Sequence, residues 1–377
     1  MAYVKIGCVL LLLLGLLCGI HYYLARNICH CLQHFFPKVR LLYVVLSLSA
    51  LSALMFLSVA RPFPGVFQRI LSVIGTAWMG LFVYLLLYFL AADLICLMVR
   101  LLPKTPKTLA LWVRLGAVAL TLVTVVWGYL HTNSIETVHY GVKLTEAPTA
   151  KMKVVMLSDL HLGAVNSENR LENIVSAVNA QKPDLVCIAG DFFDNDYSAI
   201  RNPDRVARTL QGISATYGVY ACLGNHDAGA EFGKMVSFLD RAGICLLEDK
   251  YVVINGGLIL AGRRDGSPIG GNGGAARQEL SAVLAGTDET LPVVIMDHNP
   301  ANIGEYRGSR KLVLSGHTHK GQIFPGNLIT GAMYEVDYGY YQTKQGTQVI
   351  VTSGAGTWGL PVRVGTDCEI VSIDLAY

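Results

Sequence analysis

The sequence predicts two unlike parts: a multi-pass bundle of membrane-spanning helices, followed by a layered α/β domain. Three observations carry this. Four long apolar stretches fill the first third, and acidic residues are nearly missing there: residues 1–150 hold 11 Lys/Arg and 3 Asp/Glu, a net of +8. Residues 151–377 hold 19 Lys/Arg and 24 Asp/Glu, a net of −5, as in an ordinary soluble, slightly acidic domain. In that second part short β-branched runs alternate with helical stretches. At 377 residues the chain has room for both parts. Overall it is 53% apolar and 15% charged, well below the quarter charged that a soluble chain carries.

The apolar stretches are Ile6–Leu24, Leu41–Ala60, Ile70–Val99 and Leu109–Leu130. Each is long enough to cross a hydrocarbon core of about 30 Å. Lys5 precedes the first, but no small-x-small cleavage site follows, so it reads as a retained span and not a signal peptide. Only Asp93 and Arg114 carry formal charge within the stretches, and both lie near segment ends, where they are expected to snorkel to the interface. Tyr22, Tyr23, Trp127 and Tyr129 read as an aromatic belt at segment ends. Arg26, Lys38 and Arg40 follow the first span, and Arg100, Lys104 and Lys107 follow the third. Lys5, Arg61 and Arg69 flank the other side. The excess places loops 1 and 3 in the cytoplasm and everything after the fourth span outside it, although Lys143, Lys151 and Lys153 pull the other way. The expected division is four transmembrane helices over 1–131, a short extended tether over 132–150 and a folded domain over 151–377.

The nine cysteines make no C-x-x-C pair, and Cys29-His30-Cys31 has no second half elsewhere, so these read as buried or juxtamembrane thiols. The acidic second part is a poor general binder of nucleic acid, and no nucleic-acid partner is expected.

From Lys151 onward, Val154–Leu157, Leu185–Ala189, Val219–Leu223, Val293–Met296 and Leu312–Leu314 read as strands, with helices over Arg170–Ala180 and Phe232–Arg241. The Gly-rich run Gly266–Gly274 reads as a loop. Each strand ends in metal-ligand residue types. In order these are Ser158-Asp159-Leu160-His161, Gly190-Asp191-Phe192-Phe193-Asp194, Gly224-Asn225-His226-Asp227, Asp297-His298-Asn299-Pro300 and Gly316-His317-Thr318-His319. In open α/β sheets the ligand site lies off the carboxyl ends of the strands, so five ends would project these side chains into one crevice. Any one alone could be a turn or a core histidine; five together point to metal. Imidazole with carboxylate and amide oxygen, and no thiolate, suits Mn, Fe, Zn or Co. The count exceeds the three protein ligands of one catalytic zinc and would serve two cations sharing a carboxylate.

The ordered set Asp-x-His, Gly-Asp-x-x-Asp, Gly-Asn-His-Asp, His-x-Pro, Gly-His-x-His, running from Ser158 to His319, resembles that of calcineurin-like metallophosphoesterases. The runs Gly316–Ile323 and Gly354–Arg363 look like its membrane-anchored YkuE/YaeI-type branch. That branch often carries an acidic pair after a mid-domain glycine, where this chain reads Gly262-Arg263-Arg264-Asp265, and it is often anchored by fewer spans. The resemblance implies a layered α-β-β-α sandwich. It implies that Asp159, His161 and His319 hold one metal, that Asn225, His298 and His317 hold another, and that Asp191 bridges them. It also implies that His226 faces the leaving group with Asp194 orienting it. Two divalent cations, manganese first with zinc or iron as alternatives, would acidify a bridging water and clamp the phosphate oxygens. A His⁺ held by a carboxylate could protonate the departing alkoxide. Arg263, Arg264, Lys320 and Arg363 are candidate phosphate contacts, and Asp227 a supporting or turn residue.

The expectation is a membrane-anchored phosphoesterase acting on a phosphomonoester, phosphodiester or pyrophosphate, with a lipid-linked substrate as first choice. Two rivals are a transporter or sensor whose α/β domain regulates it, and a non-catalytic binding module. Scarce intramembrane charge disfavours the first; the full set of ligand types, with His226, disfavours the second.

Overall fold

The computed structural model describes residues 2–60, 63, 65–101, 106, 108–165, 168–271 and 273–377. Arg61, Lys104 and Lys107 of the loop-charge count lie outside them. The chain forms two bodies, residues 1–127 and 128–377.

The first body is built from α1 (Ala2–Phe35), α2 (Leu41–Ala60), α3 (Gly65–Val99) and α4 (Leu109–His131). All four are long and apolar enough to cross a membrane. The first outruns its predicted end at Leu24, because no Pro or Gly interrupts Ala25–Phe35. Arg26, counted as a loop charge, therefore lies inside a helix, and Tyr22 and Tyr23 lie well before its end. Leu24, Phe89 and Ala92 are fully or almost fully buried in the packed seam of the bundle. Asp93 and Arg114, expected to reach the interface, are partnered with each other. Arg114 Nη2 donates to Asp93 Oδ1 at 2.7 Å and its Nε to Asn27 Oδ1 at 2.5 Å, while the Tyr23 hydroxyl donates to Asp93 Oδ2 at 2.8 Å. Opposite charges on α3 and α4 satisfy each other across the bundle, as ionisable side chains in helices apolar enough to span a membrane usually do.

The second body begins at the last turn of α4 and continues through β1 (Ile135–Lys143), β2 (Lys151–Leu157), α5 (Glu168–Ala180), β3 (Leu185–Ala189), α6 (Pro203–Gln211), β4 (Val219–Cys222), α7 (Phe232–Arg241) and β5 (Cys245–Leu246). Then follow β6 (Lys250–Ile254), β7 (Leu258–Gly262), α8 (Leu280–Val283), β8 (Val293–Met296), β9 (Lys311–Ser315), α9 (Gly326–Met333), β10 (Gly339–Gln342), β11 (Gln348–Val351) and β12 (Cys368–Ala376). Two six-stranded sheets result, ordered β1-β12-β2-β3-β4-β5 and β10-β11-β9-β8-β7-β6.

Strand alternation makes the layers. On β2, Val154 and Met156 join Leu260, Val294 and Leu312 in the core between the sheets. Val155 and Leu157 point the other way, against Leu171 and Val178 of α5 and Phe238 of α7. On the second sheet Ile259, Ile295 and Val313 face outward, with Leu280 and Leu284 packed over them. This is the expected α-β-β-α sandwich. The tether is corrected: residues 135–143 are an edge strand paired in parallel with β12, from Ile135 opposite Cys368 to Lys143 opposite Ala376. An extended segment beside an unpaired strand edge gains a full ladder by docking there. Only residues 132–134 separate α4 from β1.

Candidate metal centre

The parallel strands β2, β3 and β4 of one sheet and β8 and β9 of the other all deliver their carboxyl ends to one place. Tight turns there aim the side chains. Asp159, His161, Asp191, His317 and His319 all adopt positive φ, from 45° to 71°, a backbone region that costs non-glycine residues energy and collects at functional sites. The glycines leading into the turns leave no spare room. A Cβ on Gly224 would stand 2.1 Å from Asp191 Oδ1, and one on Gly316 2.2 Å from Asp159 Oδ2.

Three trios bring their ligand atoms within 4.8 Å of one another: Asp159, His161 and His319; Asp191, His298 and His317; and His161, Asp194 and His226. In the first, His161 Nε2 faces His319 Nε2 at 3.0 Å, and His319 Nε2 lies 3.3 Å from Asp159 Oδ1. In the second, His298 Nε2 is 3.1 Å from Asp191 Oδ2, and His317 Nδ1 is 3.3 Å from His298 Nε2 and 2.8 Å from Asn225 Oδ1. Asp191 stands between them. Its Oδ1 accepts the His226 backbone N–H at 2.9 Å, while Oδ2 faces His298 of one trio and, at 3.6 Å, His161 of another.

The donor chemistry fits a cation. His298 Nδ1 donates to the Ala189 carbonyl at 2.8 Å, so the lone pair of Nε2 is turned toward Asp191 Oδ2 and His317 Nδ1. Acceptors converging on acceptors repel unless a proton or a metal ion lies between them.

A sequence profile of the calcineurin-like phosphoesterases matches residues 152–321. An uncharacterized metallophosphoesterase of Aquifex aeolicus is 31% identical over 253 residues, covering 66% of this chain and 95% of that protein. The chain belongs to the metallophosphoesterase family. The YkuE metallophosphoesterase of Bacillus subtilis is 29% identical, covering 66% of this chain and 87% of its own length. A Danio rerio transmembrane protein with metallophosphoesterase domain is 32% identical, covering 59% of this chain and 53% of that one. The chain spans 60% of the Helicobacter pylori relatives that it also matches.

The metallophosphoesterase site departs from its sequence reading in two respects, while Asp227 keeps the supporting role expected of it. The His226 ring donates from Nδ1 to Asn195 Oδ1, a partner the sequence reading did not name, while Asp194 lies close by in the trio with His161. Asn195, at positive φ one residue past the recognisable motif, carried no signal of its own. Asp227 supports the turns, accepting from Gly224 N and Phe193 N, both at 2.9 Å; burial, then the Asp191 charge, pushes it up to about 7. Finally, two of the four proposed phosphate-contacting cations are buried. Arg263 pairs with Asp249 at 3.1 Å. Arg363 donates to the carbonyls of Ser353, Gly356 and His319 at 2.6, 2.7 and 3.2 Å, bracing the loop whose Gly356 N–H is bonded to the Asp159 carbonyl. Arg264 lies 3.5 Å from Glu248, and Lys320 Nζ sits 3.8 Å from the centre of the Tyr338 ring.

Arg363 is fully buried, so Arg363→Met should orphan those carbonyls and cost about 3 kcal/mol. A shift of the denaturation midpoint measures this; an unchanged midpoint would show that the loop stands without it.

The buried histidines differ in charge. Burial lowers His317 and His319 to about 4, with the His298 charge assisting at His317. His298 is also buried, but the charge and hydrogen bond of Asp191 hold it well above the usual histidine range. Metal-free protein near neutral pH therefore keeps a proton on His298 and neutral, ligand-ready rings at His317 and His319. A cation must expel the proton from His298, and from His161, whose pKa neighbouring carboxylates also raise against its burial, so metal affinity should rise with pH until both deprotonate and then level off. Calorimetry of Mn²⁺ uptake in buffers of different ionisation enthalpy reads the released protons; no release would contradict the assignment.

Proposed function

We propose that the second body hydrolyses phosphoesters with two divalent cations. One would be held by Asp159, His161 and His319, the other by Asn225, His298 and His317, with Asp191 shared between them. The observation that carries this is Asp191 Oδ2, which lies 3.1 Å from His298 Nε2 and 3.6 Å from His161 Nε2, histidines of two separate trios. Cations bound there supply positive charge for the phosphate oxygens and acidify water; manganese, zinc and iron all suit this donor set.

The remaining chemistry is that of the side chains. His226 sits beside the cluster, its ring 5.1 Å from that of His161. Because Nδ1–H is committed to Asn195, Nε2 is the atom that gives a proton to the departing oxygen. Burial lowers the His226 pKa below the usual histidine value, and the Asp191 and Asp194 charges act against that lowering. Trp358, half exposed and 5.9 Å from the His226 ring, walls one side.

The substrate we favour is a phosphoester held at a membrane, lipid-linked or in a head group. Three residues, 132–134, join a helix of spanning length to the first strand, a reach of roughly 10 Å, so the site searches the bilayer surface at high effective concentration. Loop charge favours an extracytoplasmic domain with four anchoring spans. Lys143, Lys151 and Lys153, which opposed that reading, belong to β1 and β2 of the folded sheet and not to a flanking loop.

The test is a phosphoester panel on the full chain, metal-stripped and then metal-restored, with lipid phosphates in vesicles beside soluble nitrophenyl esters. Metal-dependent turnover, faster on vesicle substrates, is expected; no turnover on any of them would refute the hydrolase reading. Sidedness is read by an impermeant thiol reagent on intact cells. A cysteine placed at exposed Glu289 should label before lysis, and labelling only after lysis would put the domain in the cytoplasm.

A further inference from the structure

We propose that an exposed apolar face beside the metal centre, formed by α9, Phe324 and Trp358, is seated in the bilayer surface. It draws on the spanning character of the four helices and not on the choice of substrate.

Directly after the Gly-His-x-His loop the chain enters α9, whose sequence Gly-Asn-Leu-Ile-Thr-Gly-Ala-Met contains no charged residue. No residue of the helix is fully buried. Leu328, Ile329 and Met333 are 63%, 59% and 70% exposed and lie within one broad side, while Thr330 on the other side donates to Asp337 at 2.7 Å. Phe324 and Trp358 add two half-exposed aromatic rings. The face is fixed to the site. Gln322 donates to the Trp358 carbonyl at 3.0 Å and accepts the Trp358 N–H at 2.8 Å. A Cβ on Gly321 would stand 2.1 Å from Gly326, so α9 is pressed against the loop that carries His317 and His319. Contiguous exposed apolar side chains on a rigid element mark a contact surface.

Its occupant follows from what adjoins it inside the second body. Phe324 N–H donates to the Val364 carbonyl at 2.9 Å, and Arg363 N–H donates to the Gly128 carbonyl at 3.1 Å. Gly128 packs so closely on Val362 that a Cβ there would lie 2.6 Å from its Cγ1. Gly128 belongs to the last turn of α4, where Tyr129 and Leu130 are 53% and 61% exposed. Two adjacent hydrogen-bonded residues therefore connect the root of α9 to the end of a helix of membrane-spanning length. An apolar, uncharged face rooted there meets lipid, as interfacial helices do.

The experiment uses the full chain in vesicles of phosphatidylcholine with a minority of phosphatidylglycerol. A benzophenone amino acid replaces Ile329 or Met333 or, as the control, Glu289, which is exposed ahead of β8 at the opposite strand ends. After irradiation, mass spectrometry should find lipid adducts at 329 and 333 at least about tenfold above 289. Adducts to a second protein chain, or lipid adducts no more frequent than at 289, would overturn the proposal. No turnover is needed for this readout, so failure of the hydrolase reading would leave it standing, and its failure would leave that reading intact.

Discussion

Asp191→Asn should strip metal from both sites and lower turnover by at least roughly 10³-fold, since the cations carry several kcal/mol of transition-state stabilisation. The substitution is nearly isosteric. Its Oδ1 position can still accept the His226 N–H, so the turn after β4 should hold and the fold should survive. What changes is Oδ2, the atom facing both His298 and His161. A neutral amide there removes the charge that two cations would share, and an N–H in its place would point at lone pairs. His298→Ala is the companion variant. Its ring reaches Asp191 and His317 but is absent from the Asp159, His161 and His319 trio, so it should remove mainly one metal. Metal content by mass spectrometry, measured beside turnover, separates the two. Two tightly held metals with normal turnover in purified Asp191→Asn would refute the shared-carboxylate arrangement.

How much of this was legible depended on whether the physics is local. β3 and β8 and the helix α7 were readable to the residue, because short β-branched runs and amphipathic spacing are properties of neighbouring residues. The ligand types were readable for the same reason: each sits directly after its strand. β1 was not, since its alternation is weak, its burial shallow and its partner β12 lies more than two hundred residues on. The roles of Arg263 and Arg363 were illegible too. A guanidinium looks the same in sequence whether it meets a phosphate or, as Arg363 does, carbonyls of Ser353 and Gly356 in a buried loop. Asp93 and Arg114 stand 21 positions apart on different helices, and nothing short of the bundle's packing pairs them. Left-handed backbone at His317 and Asp191 is likewise invisible in residue type, although the glycine before each was a hint.

His226→Gln should leave both metals bound and slow turnover on alkyl phosphoesters by ~10²–10⁴-fold, the usual worth of general acid–base catalysis. The prediction rests on how the ring is held. Nδ1–H donates a hydrogen bond to Asn195 Oδ1, which fixes the ring plane and leaves Nε2 as the proton donor. Glutamine retains a hydrogen-bonding side chain but cannot deliver a proton at neutral pH. An alkoxide needs that proton to depart and nitrophenolate does not, so the loss should shrink with improving leaving group. Asn195→Ala should lie between wild type and His226→Gln, slowing alkyl esters by roughly 10–100-fold, because the ring keeps its proton but loses its orientation. If His226 were instead a metal ligand, as its trio with His161 and Asp194 geometrically permits, His226→Gln would reduce metal content and slow good and poor leaving groups alike. Rates on a leaving-group series, taken with metal content at each point, therefore distinguish proton donation from ligation in one experiment.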